Sequence, residues 1–265
     1  MIQSIAIGSF DGIHLAHQAL INKADAVLII ERFSATLTPG WKRTFFIHKP
    51  CFFYPFENIK NLTPKEFIKK LQNDFPALKE IIIGYDFIFG KNKSGNIQTL
   101  QENFHGKVTV IKEITLDGIS IHSRVIRKLL QENNIALANK LLGRYYQIDG
   151  YPIKGLGLGS KKLVPTINLN VQDYLLPQGV FATFTKINNV SFPSVTFIGI
   201  RKSIDNSFSI ETHLLKNFHQ SPNPFKPIFI QFVAFLRDNK KFSTIKDLKK
   251  AISQDIAKAK KLLSI

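Results

Sequence analysis

Apolar residues fall in two rhythms along this chain. In the first half, short continuous apolar runs alternate with longer segments of helical character. Ile2 to Ile7, Ala26 to Ile30, Glu80 to Ile83 and Val108 to Lys112 read as strands. Leu15 to Lys23, Pro64 to Asn73, Ser123 to Gln131 and Ile135 to Leu142 read as helices. Thr63, with Glu66 three residues on, forms a capping-box pattern that marks where the second of these helices begins. Strands alternating with helices predict a parallel sheet with covered faces. Near Gly143 the rhythm changes. Short alternating strands broken by Gly, Pro and Asn follow: Tyr145–Ile153, Pro165–Asn170, Gly179–Ile187, Ser194–Ile200, Phe208–Leu214 and Ile228–Leu236. Close spacing with turn signals predicts a small antiparallel barrel. A terminal helix, Ile245 to Leu263, recurs in Leu248, Ile252, Ile256 and Ala259. The expected fold is α/β plus β, with one unit at residues 1–143 and the other at 144–265.

Composition narrows the classes. A chain of 265 residues, 44% hydrophobic, is long enough for two cores. One cysteine, Cys51, excludes an internal disulfide. The first residues have no basic leader and run straight into a strand, and no apolar run approaches a membrane span. The expected location is the cytoplasm, with no membrane association. The net charge of +17 fits a nucleic-acid partner, small anionic substrates or merely solvated lysine faces, and charge alone does not choose. Both halves are basic, with 18 basic and 12 acidic residues before position 144 and 18 and 7 after it.

Chemistry enters at the first strand–helix junction, Ile7-Gly-Ser-Phe-Asp-Gly-Ile-His-Leu-Ala-His. Gly8 and Gly12 let the backbone approach a ligand. His14 and His17 share one face of the first helical turn, beside free N–H groups and the positive end of the helix dipole, where a phosphate gains donors. A helix cap with two surface histidines is the plainer alternative. The pattern Phe10-Asp11-Gly12-x-His14-x-x-His17 resembles the nucleotidyltransferase HxGH signature, in the version found in bacterial bifunctional FAD synthetases. Ala16 stands where that family usually has Gly. In family order, Asn61-Leu-Thr-Pro-Lys-Glu-Phe-Ile resembles a helix entry, and Gly84-Tyr-Asp-Phe-Ile-Phe-Gly90 resembles GxDFxFG, placing Asp86 and Phe87 at a strand end. Ile121-His-Ser-Arg-Val-Ile-Arg127 resembles ISSTxIR; Ser123 and Arg127 match, while His122 and Arg124 replace a serine and a threonine. The family's Phe-x-Pro-His-Pro-like segment after the second strand has no counterpart in Ile30-Glu-Arg-Phe-Ser-Ala-Thr-Leu-Thr-Pro.

The second half continues the resemblance. Gly150-Tyr-Pro-Ile-Lys-Gly-Leu-Gly-Leu-Gly-Ser-Lys-Lys-Leu-Val-Pro-Thr-Ile-Asn resembles the riboflavin kinase signature that ends in PTxN. Gly155, Gly157 and Gly159 can offer backbone N–H groups to phosphates. Thr166 and Asn168 alternate, so both oxygens can face one Mg²⁺ and its nucleotide. Gly179-Val-Phe-Ala, Phe197-Ile-Gly-Ile-Arg201 and Ile210-Glu-Thr-His-Leu-Leu resemble GVYA, IGxRP and ExHLL, with Lys202 in place of the usual proline. Glu211, the only glutamate after Glu132, then falls on the kinase's catalytic base, and a carboxylate among cations can take a proton. His213 shares its strand face and is expected to be structural.

The resemblance implies a Rossmann-like nucleotidyltransferase domain followed by a riboflavin kinase barrel. It implies FAD synthesis from riboflavin in two ATP-dependent steps, with FMN as intermediate and pyrophosphate released in the second. Implied site residues are Glu211, His14, His17, Ser123 and Arg127 for catalysis. Gly8, Phe10, Asp11, Gly12, Gly155, Gly157 and Gly159 would bind nucleotide, Asp86 and Phe87 the flavin, and Thr166 and Asn168 Mg²⁺. The expected partners are riboflavin, FMN and ATP, without an obligate protein partner or nucleic acid. Two alternatives stay open: a kinase-only chain with an inactive first half, and a nucleic-acid-binding protein on an enzyme scaffold.

Overall fold

The computed structural model describes residues 1–155, 164–216 and 222–265. The chain divides into two compact units, Met1–Val125 and Ile126–Ile265.

The first unit is built on a five-stranded parallel sheet in the order β3-β2-β1-β4-β5. Its strands are β1 (Ser4–Gly8), β2 (Ala26–Glu31), β3 (Cys51–Pro55), β4 (Glu80–Gly84) and β5 (Lys107–Ile111). Helices α1 (Leu15–Ile21), α2 (Phe56–Ile59), α3 (Pro64–Asp74) and α4 (Ile97–Asn103) connect them. A small hairpin, β6 (Thr115–Leu116) and β7 (Ile119–Ser120), precedes α5 (Ser123–Gln131). Strand alternation sorts the core. Ile5, Ile7, Leu28, Ile81 and Ile83 pack with Phe67 and Leu71 of α3, while Ala6, Val27, Ile29 and Ile82 pack with Leu20 and Ile21 of α1. Burial on both faces is why these strands read as unbroken apolar runs. Helix α3 starts as its capping box predicts: the Glu66 N–H donates to Thr63 Oγ1 at 3.3 Å, and the Thr63 N–H donates to Glu66 Oε2 at 2.7 Å.

Several short elements escaped the sequence pattern, α2, β6 and β7 among them. Strand β3 lies at the sheet edge between Pro50 and Pro55 with Phe52 exposed, so it lacks the buried signature of a central strand. Helix α4 has seven residues and one fully buried side chain, Leu100. A 3₁₀ segment, Gly40–Phe46, lies in a stretch to which the sequence pattern assigns no element.

The second unit holds α6 (Ile135–Leu142) and a closed barrel in the order β10-β11-β12-β9-β8-β13. Its strands are β8 (Tyr146–Ile153), β9 (Ile167–Asn170), β10 (Gly179–Ile187), β11 (Val190–Ile200), β12 (Phe208–Leu214) and β13 (Ile228–Arg237), and the chain ends in α7 (Ile245–Leu262). Alternation again decides orientation. Val180 and Ala182 turn outward onto Ala259 and Leu263 of the α7 region. Thr183 and Thr185 turn inward and join Ser194, Thr196 and Thr212, all fully buried, in a hydroxyl network with contacts of 2.8 Å. Each hydroxyl there has a partner, which offsets the cost of taking it out of water.

The rhythm of the sequence changes at Gly143, but the compact units divide inside α5, at Val125/Ile126. Packing explains the gap. Asn139 of α6 donates to the carbonyl of Phe232 in β13 at 2.8 Å and accepts from the Tyr146 N–H at 2.7 Å, so α6 is tied to the barrel although its sequence is helical. Gly143 ends α6 in a left-handed conformation, φ 69°, which favours glycine. Among the described residues no helix is long and apolar enough to cross a membrane.

Candidate functional sites

In the first unit, sheet order 3-2-1-4-5 places a topological switch between β1 and β4, and open α/β sheets bind ligands at such a crevice. A cavity of about 1050 Å³ opens there. Gly8 ends β1, and the chain then turns through left-handed conformations at Phe10, Gly12 (φ 91°) and Ile13 before α1. His14 caps α1: its Nδ1 accepts from the His17 N–H at 3.3 Å, which puts the proton of the neutral ring on Nε2. The two imidazoles stack with centroids 3.5 Å apart, and Phe10 meets His17 edge-on at 5.2 Å. Both histidines line the cavity.

Ser123, at the start of α5, donates its hydroxyl to the carbonyl of Asp11 at 2.7 Å and so reaches this turn from 112 residues away. Asp86 and Phe87 follow β4 on the cavity wall. Asp86 is exposed, and Phe87 stacks on Phe89, which is buried against Phe67. Of the phenylalanine pair, Phe89 is therefore the core residue. Arg127 lies one turn along α5, half-buried and beyond the division between the units.

Two residues expected at the nucleotide have structural partners of their own. Asp11 is buried, and its carboxylate accepts from the backbone N–H groups of Thr36, Leu37 and Thr38 at 3.3, 2.9 and 3.0 Å. It holds the loop after β2 rather than presenting charge to a ligand. Phe10 is fully buried among Ala6, Ile13 and Leu20 and supports the turn while its ring lines the cavity beside His17. The same loop carries a second internal tie where the proline-histidine segment is absent. Buried Arg43 pairs with Glu31, whose other oxygen accepts from the Phe33 N–H at 2.8 Å. Burial works to raise the Glu31 carboxyl, but the hydrogen bonds from Arg43 and the backbone prevail and hold it below the usual carboxylate range.

Sequence reasoning gave no role to Tyr85 or Glu113, and the substituted His122 joins them. Tyr85 Oη lies 3.0 Å from His122 Nε2 and donates to Glu113 Oε1 at 3.2 Å, all on the cavity wall. Hydrogen bonds from Ser120 and Tyr85 hold Glu113 below its ordinary range. Arg32, Lys60, Lys93, Lys112 and Arg124 also line the cavity, against Asp86 and Glu113, so its field favours anions.

In the second unit a smaller cavity of about 130 Å³ lies between the outer face of the barrel and α7. Thr166, Glu211 and His213 reach it, with Leu248, Ile252 and Ile256 of α7 forming its apolar wall. Strand pairing sets Glu211 of β12 opposite Asn168 of β9 and opposite Phe197 of β11. Ser209, two residues before Glu211 on the same face, donates toward Glu211 Oε1 at 2.9 Å and lies 3.2 Å from Asn168 Oδ1. Arg201 reaches the same Oε1 at 3.3 Å. His213 Nδ1 lies 2.8 Å from the carbonyl of Pro165, a contact that fits the structural role expected for it. A Cβ on Gly155 would fall 2.3 Å from the Asn168 amide, so a larger residue there would displace that side chain. Gly157 and Gly159 lie outside the described residues. Thr166 and Asn168 supply neutral oxygens, a donor set that suits Mg²⁺ when phosphate oxygens complete it. Among the described residues no cluster of three or more His, Cys, Asp or Glu side chains could hold a metal by itself.

Comparison with known proteins finds matches for both parts of the chain. Residues 142–263 match the family model for riboflavin kinase, and residues 49–125 match that for FAD synthetase. The chain is 32% identical to the bifunctional riboflavin kinase/FMN adenylyltransferase of Buchnera aphidicola subsp. Acyrthosiphon pisum (strain APS), over 98% of this chain and 93% of that protein. It is 29% identical to the protein of the same description from Bacillus subtilis (strain 168), over 95% and 89%. A solved structure described as a macrolide-efflux protein from Streptococcus pneumoniae superposes with a TM-score of 0.84 at 21% identity, covering 96% of this chain and 92% of that one. At that identity the likeness speaks for the fold alone.

Proposed function

The chain belongs to the family of bifunctional riboflavin kinase/FMN adenylyltransferases, and from that membership we propose how its two units divide the synthesis of FAD. The enzyme phosphorylates riboflavin to FMN with ATP and adenylylates FMN to FAD with release of pyrophosphate. With both family models matched, neither the kinase-only nor the nucleic-acid reading has support.

The second unit is proposed to carry the kinase reaction. The observation behind this is that Glu211 pairs with Asn168 across β12 and β9 with the Ser209 hydroxyl against both side chains, and that Glu211 and Thr166 line one cavity. Glu211 would accept the proton of the ribityl hydroxyl as that oxygen attacks the γ-phosphorus of ATP. Among the described residues both hydrogen bonds to Glu211 fall on Oε1, so Oε2 is the atom proposed to take the proton. Gly155 would leave room for the nucleotide phosphates, with Gly157 and Gly159 contributing backbone donors. Thr166 and Asn168 would hold Mg²⁺, which when bound neutralises charge on the phosphates. The apolar wall of α7 would receive the flavin ring. At about 130 Å³ the cavity is smaller than those that enclose ligands of this size, so binding is expected to widen it.

The first unit is proposed to join FMN to AMP. His14, His17 and Ser123 would surround the polyphosphate. Gly8 and Gly12 would admit the nucleotide to the backbone, and Asp86 and Phe87 would contact the flavin. Positioning and charge stabilisation suffice for adenylyl transfer without a covalent enzyme intermediate. The cytoplasm, where ATP is supplied, is the compartment this chemistry calls for.

The test is Glu211→Gln, assayed chromatographically from riboflavin and separately from FMN. FMN formation should be abolished while FAD formation from supplied FMN persists. Equal loss of both activities would refute this division of labour.

A further inference from the structure

Glu211 does not stand alone as a base. Arg201 follows β11 and is largely buried, with a side-chain exposure of 14%. Its Nη1 holds Glu211 Oε1 at 3.3 Å. The rest of the guanidinium faces away from Glu211. Nε and Nη2 donate to the two oxygens of Asp205 at 3.1 and 2.9 Å, and Nη2 also donates to the Ser207 hydroxyl. The backbone closes the same loop: the Arg201 N–H donates to the carbonyl of Ser207 at 2.8 Å, and the Ile204 and Asn206 N–H groups donate to the carbonyl of Arg201. A bidentate carboxylate fixes the plane of a guanidinium, because the donor fork and the two oxygens match in geometry. Asp205 therefore sets where Nη1 points.

We infer, resting on the kinase reading above, that Arg201 is a positioning residue for riboflavin phosphorylation. Clamped by Asp205, it grips Oε1 of Glu211 and so presents Oε2 to the substrate hydroxyl. Ser209 shares the task from the other side, with its hydroxyl on the same Oε1. The arrangement follows the logic of a base oriented by a third group. Lysine cannot reproduce the geometry, since an ammonium lacks the second edge that Asp205 holds.

The experiment measures steady-state riboflavin phosphorylation by the full-length chain carrying Arg201→Ala, Arg201→Lys or Asp205→Asn. FMN adenylylation by the same preparations serves as the internal check of folding. Misplacement of a reacting group costs roughly 100-fold, so Arg201→Ala should lower kcat by about 10- to 100-fold with KM for riboflavin and ATP little changed. Added guanidinium ion should restore part of that rate, and Asp205→Asn should lower kcat in the same sense by a smaller factor. Arg201→Lys should fall between the wild type and Arg201→Ala. Wild-type kcat in Arg201→Ala would overturn the inference. So would a raised KM for ATP at unchanged kcat, which would make Arg201 a nucleotide-binding group. A wild-type chain that makes no FMN would instead defeat the functional reading itself.

Discussion

Replacing Arg43 by Met should destabilise the first unit in a pH-dependent way and leave the barrel untouched. Arg43 is fully buried in the 3₁₀ segment Gly40–Phe46, and Glu31 at the end of β2 is 5% exposed. Arg43 also donates to the carbonyl of Gly40 at 3.1 Å. In the wild type the folded Glu31 carboxyl is held low. The pair therefore contributes stability above the carboxyl's unfolded value, and this is lost as pH falls through the folded value. Without the guanidinium, burial is opposed only by backbone N–H groups, so the folded value rises and the sign reverses. The variant then loses stability as pH climbs above the unfolded value. Neutralisation limits the damage. Holding one proton on a glutamate of unfolded pKa near 4.3 costs about 3–4 kcal/mol at pH 7 and about 1.5–2 kcal/mol at pH 5.5. The figure at pH 7 agrees with the roughly 3–5 kcal/mol expected when one partner of a buried pair is removed. The assay is urea unfolding at both pH values, followed by tryptophan fluorescence. The only tryptophan, Trp41, sits two residues from the mutation and packs edge-on against Phe45 at 5.1 Å, so the signal reports this segment. Adding Glu31→Gln to Arg43→Met should recover most of the loss at pH 7. A loss below about 1 kcal/mol, or one equal at both pH values, would refute the reasoning.

Two further outcomes concern the sites. His17→Ala should lower FAD formation from FMN by about 100-fold or more, the scale of removing one donor from a charge-stabilising site, while riboflavin phosphorylation continues; normal FAD output from that variant would remove His17 from the polyphosphate site. Gly155→Ala sets a methyl group against the Asn168 amide at 2.3 Å and should cut riboflavin phosphorylation by about tenfold or more without affecting adenylylation, a contrast read by running both assays on one preparation.

Local chemistry was written plainly in the amino-acid order. The β1–α1 junction, the capping box at Thr63, the strands Gly179–Ile187 and Phe208–Leu214, and the helices Ser123–Gln131 and Ile135–Leu142 were legible because each depends on residues a few positions apart. Periodicities of 2 and 3.6 act within one element, and so do caps and turn glycines. The two histidines on one helical turn and Glu211 on an alternating strand belong to the same class of signal. What escaped were elements with little to bury, the edge strand Cys51–Pro55 and the seven-residue Ile97–Asn103, whose placement comes from neighbours rather than from their own pattern.

Tertiary structure alone decided which partners each polar group finds. Asp11 is an expected nucleotide-binding residue by resemblance, and three backbone N–H groups at positions 36 to 38 engage its carboxylate. Ser123 meets the β1–α1 turn across 112 residues, and His122 meets Tyr85 across 37. Arg201 and Ser209 lie near Glu211 in sequence, but their convergence on one oxygen requires the β11–β12 register and the turn that carries Asp205. Such pairings follow from how sheets and loops close in three dimensions. A buried carboxylate or guanidinium must find a partner wherever the fold supplies one, and local sequence spacing does not specify that distance or direction.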